Sequence, residues 1–322
     1  METLENISGI LDERYIICFN LILNALFNIY KVKDLLTEKE YAAKVFNEYS
    51  NSFREEVKIN ELLTKENNPS FIKYIGNSVG SLHLENNIER KYFILFEMPT
   101  HGNLLKYLNC LEFPCFSEKI CKIIFFKILK SIQDLHKIGI YHGNIKPENI
   151  YFDGEDFNLK INDFSHSLLM YNKKGEKILL KKKDEVSNYT AHEIIRGKAF
   201  DGEKADIFSL GILLFVLRTK RFPFNYSTNK NISFYSQEKL YLLIIHKKID
   251  LFWDILENSL GIKDFSPEFK KLFIKMVDYN PKKRPTIDDI FKEDWIKQMV
   301  NLKEEEKICS EQEMIQELKK RQ

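Results

Sequence analysis

The sequence lacks the features that mark a disulfide-bonded, membrane-spanning or nucleic-acid-binding protein. Its odd set of five cysteines contains no Cys-x-x-Cys pair, which argues against both a disulfide framework and a zinc site. Lys and Arg number 49 against 47 Asp and Glu, so a net charge of +2 gives no general electrostatic reason to bind nucleic acid or an anionic membrane. The uncharged run Tyr15–Tyr30 is too short to span a bilayer and contains three asparagines.

The N-terminus, Met-Glu-Thr-Leu-Glu, is acidic where a secretory signal peptide is basic. Together with the cysteine pattern this favours the cytoplasm, with the nucleus left open, and predicts a chain without a membrane segment. The composition is 44% hydrophobic and 13% aromatic over 322 residues, which is ample for a packed core in one large or two ordinary domains. The sequence therefore predicts a globular protein.

The first hundred residues carry strand patterns and one helix. Aromatic and β-branched residues dominate residues 15–32, and residues 41–46 form a short apolar run interrupted by Lys44. A lone lysine in such a strand is usually an edge residue or one that extends its amine to water. A helix predicted at residues 52–64 contains Glu55 and Glu56, and the spacing to Ile59 is compatible with either carboxylate facing inward. Glu56 is the first choice as an inward residue, and a solvated acidic face is the alternative.

Helices are predicted for most of the remaining chain. Between Ser117 as a cap and Gly139 as a stop, isoleucines recur every fourth residue, which indicates one buried face. Residues 205–217 are apolar on all sides except at Asp206, a pattern typical of a helix buried in a core, and a buried carboxylate needs hydrogen-bond partners. Residues 301–322 are rich in Glu and Lys and predict a charged C-terminal helix or tail, most simply a solvated one.

One stretch carries a chemical motif. Residues 141–151 read Tyr-His-Gly-Asn-Ile-Lys-Pro-Glu-Asn-Ile-Tyr and resemble the catalytic loop of protein kinases, with His142, Lys146 and Asn149 in the expected places. Where that family has an aspartate that accepts the proton of the substrate hydroxyl, this chain has Asn144. The form Lys-Pro-Glu-Asn resembles the serine/threonine branch.

Further kinase-like landmarks follow in the family's order over roughly residues 13–298. The resemblance implies an α+β, bilobal protein-kinase-like fold with a small β-rich N-lobe and a large helical C-lobe. The implied boundaries are an N-terminal extension at 1–12, the N-lobe at 13–98, the C-lobe at 99–300 and the charged helix or tail at 301–322.

The resemblance also implies roles for individual residues. Lys44, in Tyr-Ala-Ala-Lys, would hold the α- and β-phosphates of ATP and pair with Glu56, while Asp163 and Asn149 would bind Mg²⁺. Lys146 would assist near Asn144. The adenine edge would form hydrogen bonds with the backbone near Glu97 and Met98. Phe96 would lie at the rear of the pocket. The structural positions are His142, Phe164, Glu193, Asp206 and Arg284, of which Asp206 would anchor the catalytic loop and Arg284 would pair with Glu193.

Several family positions are altered. Kinases cover the nucleotide phosphates with a Gly-x-Gly-x-x-Gly loop, but this chain has no glycine between Gly9 and Gly76. Counting back from Lys44 places the three glycine positions at Ile22, Asn24 and Phe27 and the following valine at Ile29. Other replacements lie at Gly143, Ser165, Val186 and His192.

These departures favour a catalytically impaired pseudokinase that retains groups for ATP and Mg²⁺ and acts as a scaffold or allosteric regulator. Loss of a general base slows transfer by ~10² to 10⁴ without forbidding it. An active but slow or narrow Ser/Thr protein kinase is therefore a second hypothesis, and an interaction module that binds no nucleotide is a third. Each hypothesis implies a protein partner or protein substrate.

Overall fold

Strands dominate the first third of the chain and helices dominate the rest. The computed structural model describes residues 9–23, 27–84, 87–112, 114–181, 186–224 and 237–322. The strands are β1 (Gly9–Leu11), β2 (Tyr15–Leu23), β3 (Phe27–Asp34), β4 (Glu40–Phe46), β5 (Tyr74–Leu84), β6 (Asn87–Glu97), β7 (Ile140–Tyr141), β8 (Ile150–Asp153), β9 (Asn158–Ile161) and β10 (Leu168–Leu169). The helices are α1 (Asn51–Glu66), α2 (Leu104–Leu108), α3 (Glu118–Lys137), α4 (His192–Ile195), α5 (Gly202–Thr219), α6 (Gln237–Ile245), α7 (Ile249–Leu260), α8 (Pro267–Met276), α9 (Ile287–Ile290), α10 (Lys297–Val300) and α11 (Glu304–Lys320). None of these helices is long and apolar enough to cross a membrane.

The chain divides into two compact units. The first consists of Met1–His101 and Phe152–His166, and the second of Gly102–Tyr151 and Ser167–Gln322. Residues 152–166 thus belong with the first unit, although they follow the predicted start of the C-lobe at residue 99.

The first unit is built on a closed antiparallel barrel with the strand order β1-β2-β3-β4-β6-β5. Alternate residues of these strands point inward, as the two-residue period of a strand requires. The barrel is filled by buried side chains, which are Leu11, Tyr15, Ile17, Tyr30, Val32, Ala43, Val45, Leu82, Phe93 and Leu95.

Strand β1 corrects the predicted N-terminal extension. Gly9–Leu11 pairs with β2 on one side and with β5 on the other, so these residues close the barrel instead of preceding it. Closure leaves neither β2 nor β5 with an unpaired edge, which explains why so short a strand is ordered there. The strand pattern covers only three residues of the sequence at this place.

Helix α1 confirms the helix predicted at residues 52–64. Its first turn is capped by Ser50, whose side chain accepts a hydrogen bond from the Phe53 backbone N–H at 3.1 Å. The helix ends at Asn67, which takes the left-handed conformation common at helix ends. Its inward face consists of Phe53, Glu56, Ile59, Asn60 and Leu63. The carboxylate of Glu56 therefore lies among apolar side chains on this face.

The second unit contains the two long helices that the isoleucine spacing and the apolar run predict. Ser117 caps α3 through the Ile120 backbone N–H, and Gly139 follows the helix with a φ of 78°. Helix α5 is capped by Asp201 and is buried along most of its length, which includes Asp206. Both predictions are confirmed, and α5 sets the position of the loop that follows α3.

The prediction of a solvated C-terminal helix is wrong for one face of α11. Met314 and Leu318 are completely buried, and Lys119 on α3 forms an ion pair with Glu313 at 2.6 Å. Arg321, just after the helix, donates to the Pro114 carbonyl at 2.9 Å and lies over the Phe116 ring. The burial depends on a surface formed by α3 and the residues before it, which the local charge pattern of the tail does not reveal.

Candidate functional site

A buried ion cluster lies in the first unit at the lysine of β4. Lys44 Nζ donates to both carboxylate oxygens of Glu56, at 2.9 and 2.8 Å, and to Asp163 Oδ1 at 3.2 Å. The side chains of Lys44 and Glu56 are only 3% and 1% exposed. Glu55 is exposed, so the structure decides between the two candidate carboxylates in favour of Glu56.

The charges of Lys44 and Asp163 stabilise each other, whereas burial raises the pKa of Glu56 above its usual value despite the Lys44 charge. Burial alone would lower the pKa of Lys44, but the carboxylates of Glu56 and Asp163 outweigh it and raise that pKa above its usual value. Burial would likewise raise the pKa of Asp163, but the Lys44 charge and a hydrogen bond from Ser165 hold it well below its usual range. At neutral pH, Lys44 is therefore a cation and Asp163 an anion. Ionised carboxylate oxygens suit the hard cation Mg²⁺.

The segment around Asp163 is held by local contacts. The Ser165 hydroxyl, which replaces the family's glycine, donates to Asp163 Oδ1 at 2.7 Å. Asp163 itself has a φ of 66°, a left-handed conformation that is uncommon for a residue other than glycine and is often found at functional sites. Phe164 is buried and packs edge-on against Phe71 with 5.9 Å between ring centroids. The sequence marks Ser165 only as a lost glycine, and nothing in the pattern indicates its hydrogen bond.

The predicted glycine-loop positions lie on β2 and β3. Ile22 pairs across the hairpin with Ile29, and Ile29 in turn pairs with Lys44 on β4. Asn24 lies outside the described residues. The Phe27 ring lies over the Lys44 ammonium, with 4.1 Å from Nζ to the ring centroid. This contact was not predicted, although the position was identified.

The predicted adenine-binding positions come at the end of β6. Phe96 is buried and its ring meets Tyr74 edge-on at 6.3 Å, whereas Met98 is partly buried just beyond the strand. The Glu97 carboxylate accepts hydrogen bonds from the Lys73 backbone N–H at 2.9 Å and from Lys160 Nζ at 2.5 Å. These contacts fix the strand end at which a nucleotide base is expected.

The catalytic-loop positions lie in the second unit and are anchored by Asp206. This fully buried carboxylate accepts the backbone N–H of His142 at 2.9 Å and of Gly143 at 3.0 Å. It also contacts His136 Nε2 at 2.9 Å, a partner that no sequence pattern indicates. Asp206 thus has the partners that a buried carboxylate requires, and they hold the start of the loop.

Within the loop, polar side chains bind the backbone. The Asn144 N–H donates to His142 Nδ1 at 3.1 Å, and the Asn149 side-chain amide donates to the Asn144 carbonyl at 2.8 Å. Lys146 is partly buried and directly precedes the 3₁₀ turn Pro147–Asn149. Of the two predicted metal ligands, Asn149 belongs to the second unit and Asp163 to the first.

A second buried ion pair stabilises the helical unit. Arg284 donates to the two oxygens of Glu193 at 2.7 and 2.8 Å, as the resemblance implies. The same guanidinium also donates to the backbone carbonyls of Asp278 and Lys204. A bidentate pair with further hydrogen bonds is the geometry in which a buried arginine is tolerated.

The barrel, the helical unit, the lysine cluster and the anchored loop together define the class. Residues 27–296 match the protein kinase domain family, and the chain belongs to that family. The expected α+β fold with a β-rich N-lobe and a helical C-lobe is thereby confirmed.

Known relatives include plant kinases. The chain is 32% identical over 210 residues to CBL-interacting protein kinase 30 of Oryza sativa subsp. japonica, covering 65% of this chain and 39% of the relative. It is 31% identical over 209 residues to CBL-interacting serine/threonine-protein kinase 14 of Arabidopsis thaliana, covering 65% of this chain and 42% of the relative. The matching region thus spans about two fifths of the length of these relatives.

Proposed function

We propose that this chain is a pseudokinase, a protein kinase domain with strongly impaired phosphotransfer that binds nucleotide and regulates a protein partner. The observation that carries the proposal is Asn144 at the position of the catalytic aspartate. A carboxamide offers hydrogen bonds to a hydroxyl but takes no proton from it at neutral pH. The missing general base is worth ~10² to 10⁴ in rate, or about 3 to 5 kcal/mol of barrier.

The nucleotide-binding part of the proposal is supported by the first unit. Lys44 carries the charge that would meet the phosphates, and ionised Asp163 would supply oxygen ligands to Mg²⁺. Glu56 keeps the lysine in place, and the backbone near Glu97 and Met98 would bind the adenine edge. Mg²⁺, when bound, neutralises phosphate charge. The replacement of all three loop glycines would weaken the grip on the phosphates.

A slow or narrow Ser/Thr protein kinase is the second candidate, and the assembled Lys44–Glu56 pair favours it. Phosphoryl transfer depends mainly on positioning and charge neutralisation, so a base-deficient site retains some rate. An interaction module without nucleotide is the third candidate. The relatives are CBL-interacting kinases by name, and by analogy we propose a protein as partner or substrate of this chain.

Restoring the base tests the proposal. We expect phosphotransfer by the purified wild-type chain with Mg-ATP to lie near background, and Asn144→Asp to raise it by about 10² or more. The variant Asn301→Asp is the matched control, because it makes the same change at an exposed position of the same unit. Its rate should equal that of the wild type.

Wild-type transfer at the ~1 to 100 s⁻¹ typical of kinases, abolished by Asp163→Ala, would overturn the pseudokinase assignment. An Asn144→Asp variant that binds ATP but is no faster than the wild type would instead refute Asn144 as the cause of the impairment. A rise in melting temperature with millimolar ATP separates the first two candidates from the third, because a ligand that binds the folded state stabilises it by mass action.

A further inference from the structure

The Phe27 ring lies where kinases keep the third glycine of the phosphate-covering loop open. Phe27 is the first residue of β3 and pairs with Phe46 on β4, two residues beyond Lys44. Its ring centroid lies 4.1 Å from Lys44 Nζ, which is within the range of a cation–π contact. A glycine at this position would leave that side of the ammonium uncovered.

The N–H groups of the ammonium already have carboxylate acceptors in this arrangement. A lysine ammonium has three N–H donors, and those of Lys44 reach two oxygens of Glu56 and one of Asp163. The aromatic face of Phe27 covers a further side of the nitrogen, and the lysine side chain is 3% exposed. A phosphate oxygen that approaches Lys44 from the side of Phe27 must therefore displace the ring.

The ring is held by its neighbours. The Phe27 and Phe46 rings lie 5.9 Å apart, and Phe46 meets Phe53 of α1 edge-on at 5.2 Å. Phe46 and Phe53 are both buried. Moving the Phe27 ring aside would break an aromatic contact and the cation–π contact together. The cost would fall on every ligand that carries phosphates and on none that lacks them.

We propose that Phe27 determines the ligand class of this site, so that the chain recognises the nucleoside part of a nucleotide and gains little from its phosphates. The proposal rests on the nucleotide binding put forward above and specifies it: Lys44 meets a phosphate only when the Phe27 ring is displaced, so that contact adds little net affinity. Ligands that reach only the strand end at Glu97 and Met98 leave the ring in place. Adenosine should therefore bind about as tightly as ATP, unlike in a site whose lysine is open to phosphate.

The test is a ladder of adenosine, AMP, ADP and ATP, measured by calorimetric titration with and without Mg²⁺. In the wild type we expect the four Kd values to agree within about three-fold. In Phe27→Ala we expect ATP to bind at least about ten-fold more tightly than in the wild type, because one charge-assisted hydrogen bond to phosphate is worth that much or more. Adenosine should bind the variant as it binds the wild type.

Phe19→Ala is the matched control. The Phe19 ring on β2 lies 5.5 Å from Lys31 Nζ on β3, so the control removes an aromatic ring from a cation–π contact away from Lys44. The control should keep the wild-type ratio of Kd values. Thermal unfolding of both variants shows whether they fold. The comparison of the four ligands in the wild type does not depend on any variant.

The outcomes separate the two proposals. A wild type that binds ATP ten-fold more tightly than adenosine refutes the role of Phe27 and leaves the pseudokinase proposal intact, as does a folded Phe27→Ala variant with an unchanged ratio. No binding of any ligand by either protein refutes the role of Phe27 and also the nucleotide-binding part of the pseudokinase proposal. Wild-type Kd values that agree across the four ligands, together with tighter ATP binding in Phe27→Ala, support the role of Phe27.

Discussion

Replacing Lys44 by methionine should destabilise the first unit strongly. The substitution leaves Glu56 inside the protein at 1% exposure without its cation. Breaking a buried ion pair by removing one partner typically costs about 3 to 5 kcal/mol. Loss of ATP binding in Lys44→Met would therefore report partial unfolding as well as a missing phosphate contact.

The structure supports a similar magnitude by a second route. Without Lys44, burial favours the neutral form of Glu56, whose pKa in the unfolded chain is about 4.3. Keeping that carboxyl protonated at pH 7 costs about 4 kcal/mol, since each pH unit above the unfolded pKa costs about 1.4 kcal/mol. Asp163 adds less, because it is partly exposed and keeps its hydrogen bond from Ser165.

The stability cost of Lys44→Met should depend on pH with a definite sign. Burial already raises the folded pKa of Glu56 in the wild type, and loss of the Lys44 charge raises it further, so the extra penalty in the variant is absent below the unfolded pKa and grows as the pH rises. In the wild type, Asp163 has a depressed folded pKa, so its contribution is present at neutral pH and is lost only as the pH falls below about 4. The stability difference between wild type and Lys44→Met should shrink steadily from pH 7 to about pH 4.5.

Hydrogen exchange at the α1 amides is the appropriate measurement, because both tryptophans, Trp253 and Trp295, lie in the second unit and would not report on the first. The double variant Lys44→Met/Glu56→Leu should recover much of the loss, since it removes both buried charges. A Lys44→Met protein within about 0.5 kcal/mol of the wild type at pH 7, or a difference that stays constant with pH, would refute the account of the cluster.

Two further predictions concern the second unit. Leu318→Ala should lower the free energy of unfolding by about 2 to 5 kcal/mol in denaturant titrations, because Leu318 is fully buried. Ile308→Ala, at a position 50% exposed, should change it by no more than about 0.5 kcal/mol. Equal effects of the two substitutions would contradict the packing of α11. Burial lowers the pKa of His192 to about 4, so the wild type should lose up to about 3 kcal/mol as the pH falls from about 6.5 to 4. The loss of unfolding free energy, followed by tryptophan fluorescence, should be smaller in His192→Gln than in the wild type. Parallel pH curves for the two proteins would contradict the role of His192.

The long elements could be predicted because local chemistry and tertiary packing agree in them. The cap at Ser117, the stop at Gly139 and the isoleucines between them specify α3 without further information. Glu56 could be preferred over Glu55 only through the spacing to one apolar residue, and the pairing with Lys44 needed the structure. Where the partner surface comes from distant residues, as for β1 and α11, the local pattern is too short or too charged to indicate burial.

The contact between Phe27 and Lys44 could not be predicted from the motif, because it depends on how the strands pair. Side chains alternate across a strand, so Phe27 and Ile29 share one face of β3, and Lys44 and Phe46 share one face of β4. The register pairs Ile29 with Lys44 and Phe27 with Phe46, which places all four side chains on the same face of the sheet. The strand register therefore places an aromatic side chain at position 27 next to the lysine side chain. Counting from Lys44 finds the position, but only the pairing shows that the lost glycine becomes a cover for the lysine.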